Sequence, residues 1–224
     1  MSREKFYSTQ LNNFIKDKNS KIIVLGAGNL DMKVFKDLNF NNVTFTNLEN
    51  STENKIDFNQ NIHDLRINDG KFDYCVAHAC VHHSSRPHQA ILELYRVSSK
   101  GILVIEARDT LLSRIACKLN LSEEYELSAV KKNKNTGGVD NTNIPNYVYR
   151  WTEREIIKLI KSYKPEINHK ITFEYGHQLK FSDSFLVKFF FKVFFFIFKK
   201  QQNLFSIFIE KDKNNLKFHN WYKK

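Results

Sequence analysis

Short apolar runs alternate with amphipathic segments along the first half of the chain. The run Lys21–Leu25 is almost wholly apolar and is followed by glycines, a pattern typical of a strand buried on both faces. Further strands are predicted at 43–47, around 56–58, at 72–77 and at 101–106, and helices at 4–18, 29–39 and 87–97. This regular alternation predicts a parallel sheet with helices on both faces.

The alternation ends after Glu106. We predict a helix at 110–119, a loop rich in Asn and Gly at 131–145, a helix at 152–162 and closing strands at 167–175 and 204–210. Thr152 and Glu155 have the spacing of a capping box at the start of the last helix. Because no linker or internal repeat interrupts the chain, we expect one domain over 1–224, with a substrate-covering insertion at 107–150 and a C-terminal region at 177–224 that closes the fold.

The first chemical signal is the loop Gly26-Ala27-Gly28 after the first strand. Glycines there let the backbone turn tightly beside a ligand, with the next helix N-terminus aimed at it, although short glycine turns also join strands to helices for steric reasons alone. The dinucleotide fingerprint requires a further glycine where Asp31 stands, and a carboxylate repels a pyrophosphate. A nicotinamide cofactor is therefore disfavoured.

Two later positions favour an adenosine-bearing ligand. Glu49 follows the second strand, where an acid accepts both hydroxyl protons of a ribose or stands as a solvated loop carboxylate. Asn61 and Ile62 follow the third strand, where a side-chain amide and a backbone N–H can read an adenine edge. Together with the glycine loop, these residues predict a ligand lying across the carboxyl ends of the strands.

The segment from Lys71 to Glu106 carries a resemblance to a known family. It reads KFDYCVAHACVHHSSRPHQAILELYRVSSKGILVIE and resembles the pattern SFDxVxxxxxLHH…AxxExxRV…GGxLxxxE of methyltransferase type 11-like proteins. Over roughly residues 21–175 the order of motifs is similar to that of class I S-adenosylmethionine-dependent methyltransferases. The resemblance implies S-adenosylmethionine as cofactor and an α/β three-layer sandwich, a Rossmann-like fold whose mostly parallel seven-stranded sheet has helices on both faces.

The resemblance also implies which residues bind the cofactor. They are Gly26, Ala27, Gly28 and Asn29 in a backbone cradle, Glu49 at the ribose, Asn61 at the adenine amine, Ile62 through its N–H at the ring, and His78 beside the sulfonium. The chain departs from the family pattern at Val24, where an acidic residue is usual, and at Leu30, where a glycine is usual. The first departure removes a contact to the methionine ammonium, for which Asp31 or His78 is the candidate replacement.

Four histidines crowd the stretch after the fourth strand: His78, His82, His83 and His88. His78 and His82 could lie one turn apart as metal ligands, but no nearby Cys or carboxylate completes a set, so we predict no metal site. An imidazole there suits deprotonation of an acceptor hydroxyl, because its unperturbed pKa is about 6.5. His83 and His82 are the candidate catalytic bases, and a structural or acceptor-orienting role is the alternative.

The acceptor is expected beside the end of the fifth strand. Arg108 and Asp109 stand there and either bind acceptor hydroxyls or carboxylates or form a surface ion pair. The segment 137–151 joins amide donors, aromatic rings and a fixed cation, a mixture that suits a sugar-like acceptor or a well-packed loop. From this segment we predict acceptor contacts by Asn146, Tyr149 and Arg150.

The basic excess lies largely at the C-terminal end. Lys and Arg number 35 against 24 acidic residues, a net charge of +11, and in 180–224 ten Lys against three acids supply +7 of it. Since Lys, Asn and Phe are all abundant, the charge reflects composition, and no nucleic-acid partner is expected. Three cysteines without a CxxC pair, and a first stretch without an apolar core of signal-peptide length, indicate a cytoplasmic protein.

Nine of the eighteen residues from Phe181 to Phe198 are Phe. The longest uncharged stretch there is six residues, too short to span a bilayer. Three interpretations stay open: a helix covering the sheet, self-association, or an interfacial helix at 185–200 that meets anionic headgroups at the inner membrane face.

The sequence therefore predicts an enzyme that transfers a methyl group from S-adenosylmethionine to oxygen on a sugar or related polar metabolite, free or lipid-linked. A nicotinamide-dependent oxidoreductase on a similar sheet and a non-catalytic, membrane-associated scaffold are the alternatives. The oligomeric state is left open.

Overall fold

A single sheet of seven strands organises the computed structural model, which describes residues 2–48, 56–132, 136–177 and 185–216. The strands are β1 (Ile22–Leu25), β2 (Val43–Asn47), β3 (Phe58–Asn59), β4 (Phe72–His78), β5 (Ser98–Ala107), β6 (Ile167–Gly176) and β7 (Leu204–Leu216), in the order β3-β2-β1-β4-β5-β7-β6. The first five pair in parallel, and β7 runs antiparallel between β5 and β6.

Seven α-helices are described: α1 (Arg3–Phe14), α2 (Asn29–Asp37), α3 (Pro87–Val97), α4 (Leu111–Lys118), α5 (Leu127–Lys132), α6 (Glu153–Tyr163) and α7 (Phe185–Ile197). Short 3₁₀ turns lie at Val81–His83, Val139–Asn141 and Lys199–Gln201.

Both faces of the sheet are buried, as the near-continuous apolar strands predict. Ile23 and Leu25 of β1 belong to the core that contains α3 and α6, whereas Ile22 and Val24 belong to the core that contains α1 and α2. Successive side chains of one strand therefore pack alternately into two hydrophobic layers, one on each face of the sheet. The predicted three-layer α/β fold is confirmed.

Some element boundaries differ from the predicted ones for local reasons. The first helix ends at Phe14, because Ile15 takes an extended conformation with φ −111° and ψ 98°. The Thr152 hydroxyl accepts the Glu155 N–H at 3.2 Å as predicted, but the Glu155 carboxylate pairs with His88 at 2.9 Å. Helix α5 was not predicted; it lies mostly before the segment 131–145 expected as a loop and overlaps only the first two residues of that segment.

Candidate active site

The glycine loop follows β1 and is held by its contact with the turn after β4. Gly26 has φ +64°, in the left-handed region that favours glycine. A Cβ on Gly26 would lie 2.5 Å from Cys80 Cβ, and the Cys80 thiol donates to the Leu25 carbonyl at 3.2 Å. Glycine at this position therefore allows the carboxyl ends of β1 and β4 to approach each other closely.

Gly28 leaves open space at the N-terminus of α2. Among the described residues, a Cβ there would meet only Asp31 Oδ2, at 3.8 Å, which is an ordinary contact. Ala27 is fully buried and donates its N–H to the Thr46 carbonyl at 2.9 Å, and Asn29 is the first residue of α2. Since protein packing does not require glycine at 28, the open space suits a ligand that approaches the backbone closely.

The candidate adenine-binding residues lie in a tight turn after β3. Asn61 Oδ1 accepts the His63 N–H at 3.2 Å, and Ile62 packs against the core that contains α3. Glu49, predicted to hold the ribose, lies outside the described residues.

Arg96 of α3 fixes the segment that follows this turn. Its guanidinium donates to the carbonyls of Leu65 at 2.8 Å and Ile67 at 2.7 Å. Arg96 also donates to Glu93 Oε1 at 2.7 Å, and the other oxygen of Glu93 accepts the Leu65 N–H at 2.9 Å. The Glu-x-x-Arg spacing of the sequence pattern thus makes one helix turn that anchors the candidate adenine-binding segment.

His78 ends β4 beside the glycine loop and lies under α1. Its ring stacks on Tyr7 with centroids 4.3 Å apart, and its Nε2 accepts from Arg3 Nε at 2.9 Å. The next residue, Ala79, has φ +50°, which is uncommon for a residue with a Cβ and turns the chain sharply. This position is compatible with the role predicted for His78 at the sulfonium, which stays a prediction.

A buried ion pair joins the 3₁₀ turn at 81–83 to β5. Glu106 is fully buried, its Oε1 accepts the Val81 N–H at 2.8 Å, and its Oε2 lies 2.6 Å from His82 Nδ1. Burial opposes a charged imidazole, but Glu106 and then Glu126 outweigh it and raise the pKa of His82 to about 10. His82 is therefore an imidazolium at neutral pH, without a lone pair to accept a proton.

His83 has the opposite electrostatics. Burial and the charge on His82 lower the pKa of His83. Its Nε2 lies 3.4 Å from Glu126 Oε2, which also accepts from Asn146 Nδ2 at 3.3 Å. Contact with the His82 imidazolium lowers the pKa of Glu126 to about 2. At neutral pH the cluster thus contains a neutral imidazole beside an imidazolium and a carboxylate.

The same three side chains have the spacing of a metal-binding group. One ligand atom from each of His82, His83 and Glu126 lies within 4.8 Å of the other two. The protonation of His82 opposes coordination, because an imidazolium has no lone pair to offer a metal. The absence of a metal site stays a prediction.

Arg108 and Asp109 are engaged with neighbouring elements. Arg108 is buried, donates to Glu153 Oε1 at 2.7 Å and lies 4.9 Å from the centre of the Tyr175 ring. Asp109 accepts from Arg114 Nε at 2.8 Å. These contacts join the end of β5 to α6, β6 and α4, and the predicted acceptor contacts of both residues stay predictions.

The segment predicted to cover the acceptor divides into separate groups. Asn146 is fully buried and reaches the Glu126 carboxylate of the histidine cluster. Tyr149 donates its hydroxyl to Glu155 of α6, and Arg150 donates to the Glu123 carbonyl at 2.8 Å. The structure therefore brings Asn146 to the candidate catalytic residues, but places Tyr149 and Arg150 against other parts of the fold.

A groove of about 810 Å³ lies between α3 and α6. His88, Leu92, Glu155 and Leu159 are among its lining residues. None of the residues predicted to bind the cofactor lines this groove, so the candidate site is the carboxyl edge of the sheet.

Sequence reasoning missed two acids of this site. Glu106 did give a signal, because it is the single charged residue that closes the apolar run 101–106. Glu126 gave none, because it belongs to a connecting segment whose contact with the histidines forms only in the folded chain.

A family model described as a methyltransferase domain matches residues 33–105, from α2 to β5. This stretch contains the candidate adenine-binding turn, the Arg96 anchor and the histidine pair. No curated protein matches the chain.

Solved structures match nearly the whole chain. A protein from Pyrococcus horikoshii OT3 is 13% identical with a TM-score of 0.57, and the match covers 94% of this chain and 90% of that one. A SAM-dependent methyltransferase from Archaeoglobus fulgidus is 13% identical with a TM-score of 0.55, covering 94% and 95%. The plantazolicin methyltransferase BpumL, solved with SAH, is 15% identical with a TM-score of 0.52, covering 94% and 82%. At these identities the likeness shows the fold.

The carboxyl edge fits an adenosyl amino acid. It combines the open space at Gly28, the fixed turn at 61–62 and a buried Asp31 carboxylate oxygen without a hydrogen-bond partner in the described part of the chain. The matched domain, the strand order and this edge agree. The methyltransferase domain matched at residues 33–105 and the fold shared with solved methyltransferases support a class I S-adenosylmethionine-dependent methyltransferase, with S-adenosylmethionine as the cofactor.

Proposed function

We propose that the enzyme methylates a hydroxyl oxygen of a sugar or related polar metabolite, with His83 accepting the hydroxyl proton. The observation that carries the proposal is the neutral His83 imidazole beside Glu126. A base with a lowered pKa is in its proton-accepting form at neutral pH. His82, with a pKa of about 10, is not, so of the two candidates only His83 suits the role.

When bound, S-adenosylmethionine supplies an electrophilic methyl group on its sulfonium. A C–O bond forms to the acceptor as the S–CH₃ bond breaks, which leaves S-adenosylhomocysteine, and the hydroxyl proton passes to His83. Glu126 then stabilises the His83 imidazolium, and Asn146 holds the Glu126 carboxylate in place.

We further propose that the residues predicted at the carboxyl edge bind the cofactor. Gly26, Ala27, Gly28 and Asn29 form the backbone cradle, Glu49 holds the ribose, Asn61 and Ile62 meet the adenine, and His78 borders the sulfonium. In-line transfer depends on this positioning, because the acceptor oxygen must approach the methyl carbon from the side opposite the sulfur.

A polar, aromatic surface beside the cluster supports a sugar-like acceptor. Tyr125 and Tyr147 flank Glu126 and Asn146 in the sequence, and their rings lie 5.4 Å apart in a T-shaped pair. Both rings are about half exposed, at 52% and 50%. Exposed aromatic faces pack against the apolar faces of sugar rings while nearby amides bind hydroxyls. Arg108, Asp109, Tyr149 and Arg150 remain proposed acceptor contacts because of their positions in the sequence, although each of them is engaged with another element in the structure.

The test is release of S-adenosylhomocysteine with a panel of hydroxyl, amine and thiol acceptors. We expect turnover with hydroxylated sugars, and loss of about 10²-fold or more in kcat for His83→Gln with unchanged affinity for S-adenosylhomocysteine. His169→Gln is the matched control, because His169 lies on β6 and is hydrogen-bonded to Tyr95 outside the cluster, and it should keep the parental rate.

Two results would contradict the proposal: turnover with amines but not hydroxyls, or a His83→Gln enzyme as fast as the parent. A chelator should leave the rate unchanged. Loss of activity that a divalent cation restores would instead assign His82, His83 and Glu126 to a metal.

We also propose peripheral membrane contact through 185–200. No helix in the described ranges is long and apolar enough to cross a membrane. Helix α7 nevertheless exposes Phe190 at 61%, Phe196 at 87% and Ile197 at 64%, beside the exposed Lys192 and Lys200. An apolar face bordered by lysines suits insertion among anionic headgroups, and would place the enzyme near a lipid-linked acceptor at the inner membrane face.

Helix α4 exposes a second apolar stripe. Leu111, Ile115 and Leu119 are 63%, 43% and 63% exposed and follow the i, i+4, i+8 spacing of one helix stripe. The N-terminus of α4 meets the turn after α7, where the Leu112 N–H donates to Gln201 at 3.4 Å.

Vesicle flotation tests the membrane contact. The parent should bind vesicles containing anionic phosphatidylglycerol but not pure phosphatidylcholine, and deletion of 185–198 or the pair Phe196→Ser and Ile197→Ser should abolish binding. Ile144→Ser, which changes a 63% exposed residue of the segment 137–151 and of neither α4 nor α7, is the control. Undiminished flotation of the deletion variant would overturn the proposal.

A further inference from the structure

Two buried polar atoms face each other beside the glycine loop without hydrogen-bond partners. Among the described residues, neither Asp31 Oδ1 nor the Tyr7 hydroxyl makes a hydrogen bond, and His78 Nδ1 lies 3.5 Å from Asp31 Oδ1 as a longer ion-pair contact. Tyr7 is fully buried and Asp31 is 5% exposed. Unpaired buried polar groups are costly, so a pair of them at a binding edge indicates a ligand group that satisfies both.

The two atoms are close together and firmly held. Asp31 Oδ2 accepts the Gly28 N–H at 2.9 Å, which fixes the carboxylate and turns its other oxygen away from the helix cap. The Tyr7 ring stacks on His78. Burial raises the pKa of Tyr7, and the neighbouring Asp31 carboxylate raises it further, as expected for two acidic groups that lie side by side.

The chemistry of this pair selects a cation. A carboxylate oxygen and a phenol oxygen together accept two hydrogen bonds from one ammonium group. Strand β1, with the sequence Ile-Ile-Val-Leu, brings no carboxylate of its own to the edge. Arg3 lies on the other side of His78 and donates to it through Nε, at 2.9 Å. One acidic and one basic side chain therefore border the same small region.

We infer that Asp31 and Tyr7 bind the α-ammonium group of the methionine end of S-adenosylmethionine, and that Arg3 binds its carboxylate. Asp31, on α2, thereby takes the place of an acid on β1, and Tyr7 and Arg3 make helix α1 part of the cofactor site. The inference rests on the cofactor and is independent of the acceptor.

Calorimetric titration with two ligands tests it: S-adenosylhomocysteine and its analogue in which hydrogen replaces the α-amino group. The parent should bind S-adenosylhomocysteine with an affinity about 10- to 100-fold higher than that for the analogue, because hydrogen bonds to a charged group contribute a free energy of this size. Asp31→Asn should abolish most of this preference while leaving the affinity for the analogue unchanged, because Asn keeps an oxygen for the Gly28 N–H. Tyr7→Phe keeps the ring on His78 and should reduce the preference in part.

Glu4→Gln is the control, since Glu4 lies on the same helix but pairs with Lys33 on the exposed side. It should not change the preference. If Asp31→Asn lowers the affinity for both ligands equally, Asp31 only caps α2. If the parent binds both ligands with equal affinity, no ammonium contact exists. Either result would overturn the inference.

Discussion

His82 and His83 are neighbours in sequence, yet their pKa values shift in opposite directions. The difference comes from Glu106, which is fully buried against His82 Nδ1 and makes that imidazole a cation. The cation in turn helps to lower the pKa of His83. Both histidines could be predicted as bases from the sequence. Which of them is neutral could not be predicted, because their protonation states depend on Glu106, a strand residue more than twenty positions away.

The His82–Glu106 pair predicts a pH-dependent part of the stability. The folded pKa of His82, about 10, lies above its unfolded value of about 6.5. Its contribution is therefore fully present below pH 6.5 and is lost as the pH rises through 10. His82→Gln should cost about 3–5 kcal/mol of unfolding free energy at pH 6, because it leaves Glu106 buried without its charge partner.

Denaturant titration at pH 6, 8 and 10.5 measures this effect. The gap between parent and His82→Gln should narrow as the pH rises, whereas His88→Gln should follow the parent throughout. A gap that stays constant over this range would show that His82 is not held as an imidazolium.

At the scale of elements, the strands and the long helices were predictable because their signals are local. Helix α3 spans the predicted 87–97, where Pro87 occupies the first turn. Strand β1 spans 22–25 within the predicted 21–25, because few conformations other than a buried strand suit a short apolar run before glycine. Helix α5 has only six residues, and its local signal is too weak to separate from a loop.

The two glycines of the loop should respond differently to substitution by alanine. Gly26→Ala should destabilise the fold by about 1–3 kcal/mol, because it combines a left-handed φ with a Cβ only 2.5 Å from Cys80 Cβ. Gly28→Ala should leave the unfolding midpoint near the parental value, because a Cβ at 28 makes only ordinary contact with the described residues, but should weaken S-adenosylhomocysteine binding. Thermal unfolding with and without S-adenosylhomocysteine separates the two effects. If Gly28→Ala binds S-adenosylhomocysteine as tightly as the parent does, the glycine loop is not part of the cofactor site.

At the scale of the whole molecule, the cofactor half of the proposed site could be predicted from the sequence more completely than the acceptor half. The proposed cofactor half follows from strand order, since parallel strands bring their carboxyl ends, and with them the loops that follow, to one edge of the sheet. The acceptor half depends on how the insertion between β5 and α6 folds back. There, Asn146 was predicted and reaches the histidine cluster, while its partner Glu126 was not predicted at all.

Binding of an adenosyl cofactor at this edge of the sheet is tested by thermal unfolding with S-adenosylhomocysteine and, in parallel, with NAD. Ligand at about 100 times its dissociation constant should add roughly 2.7 kcal/mol. For a chain of this size the midpoint should rise by about 5–10 °C. We expect this rise with S-adenosylhomocysteine and no change with NAD. No rise with S-adenosylhomocysteine, or an equal rise with NAD, would contradict this expectation.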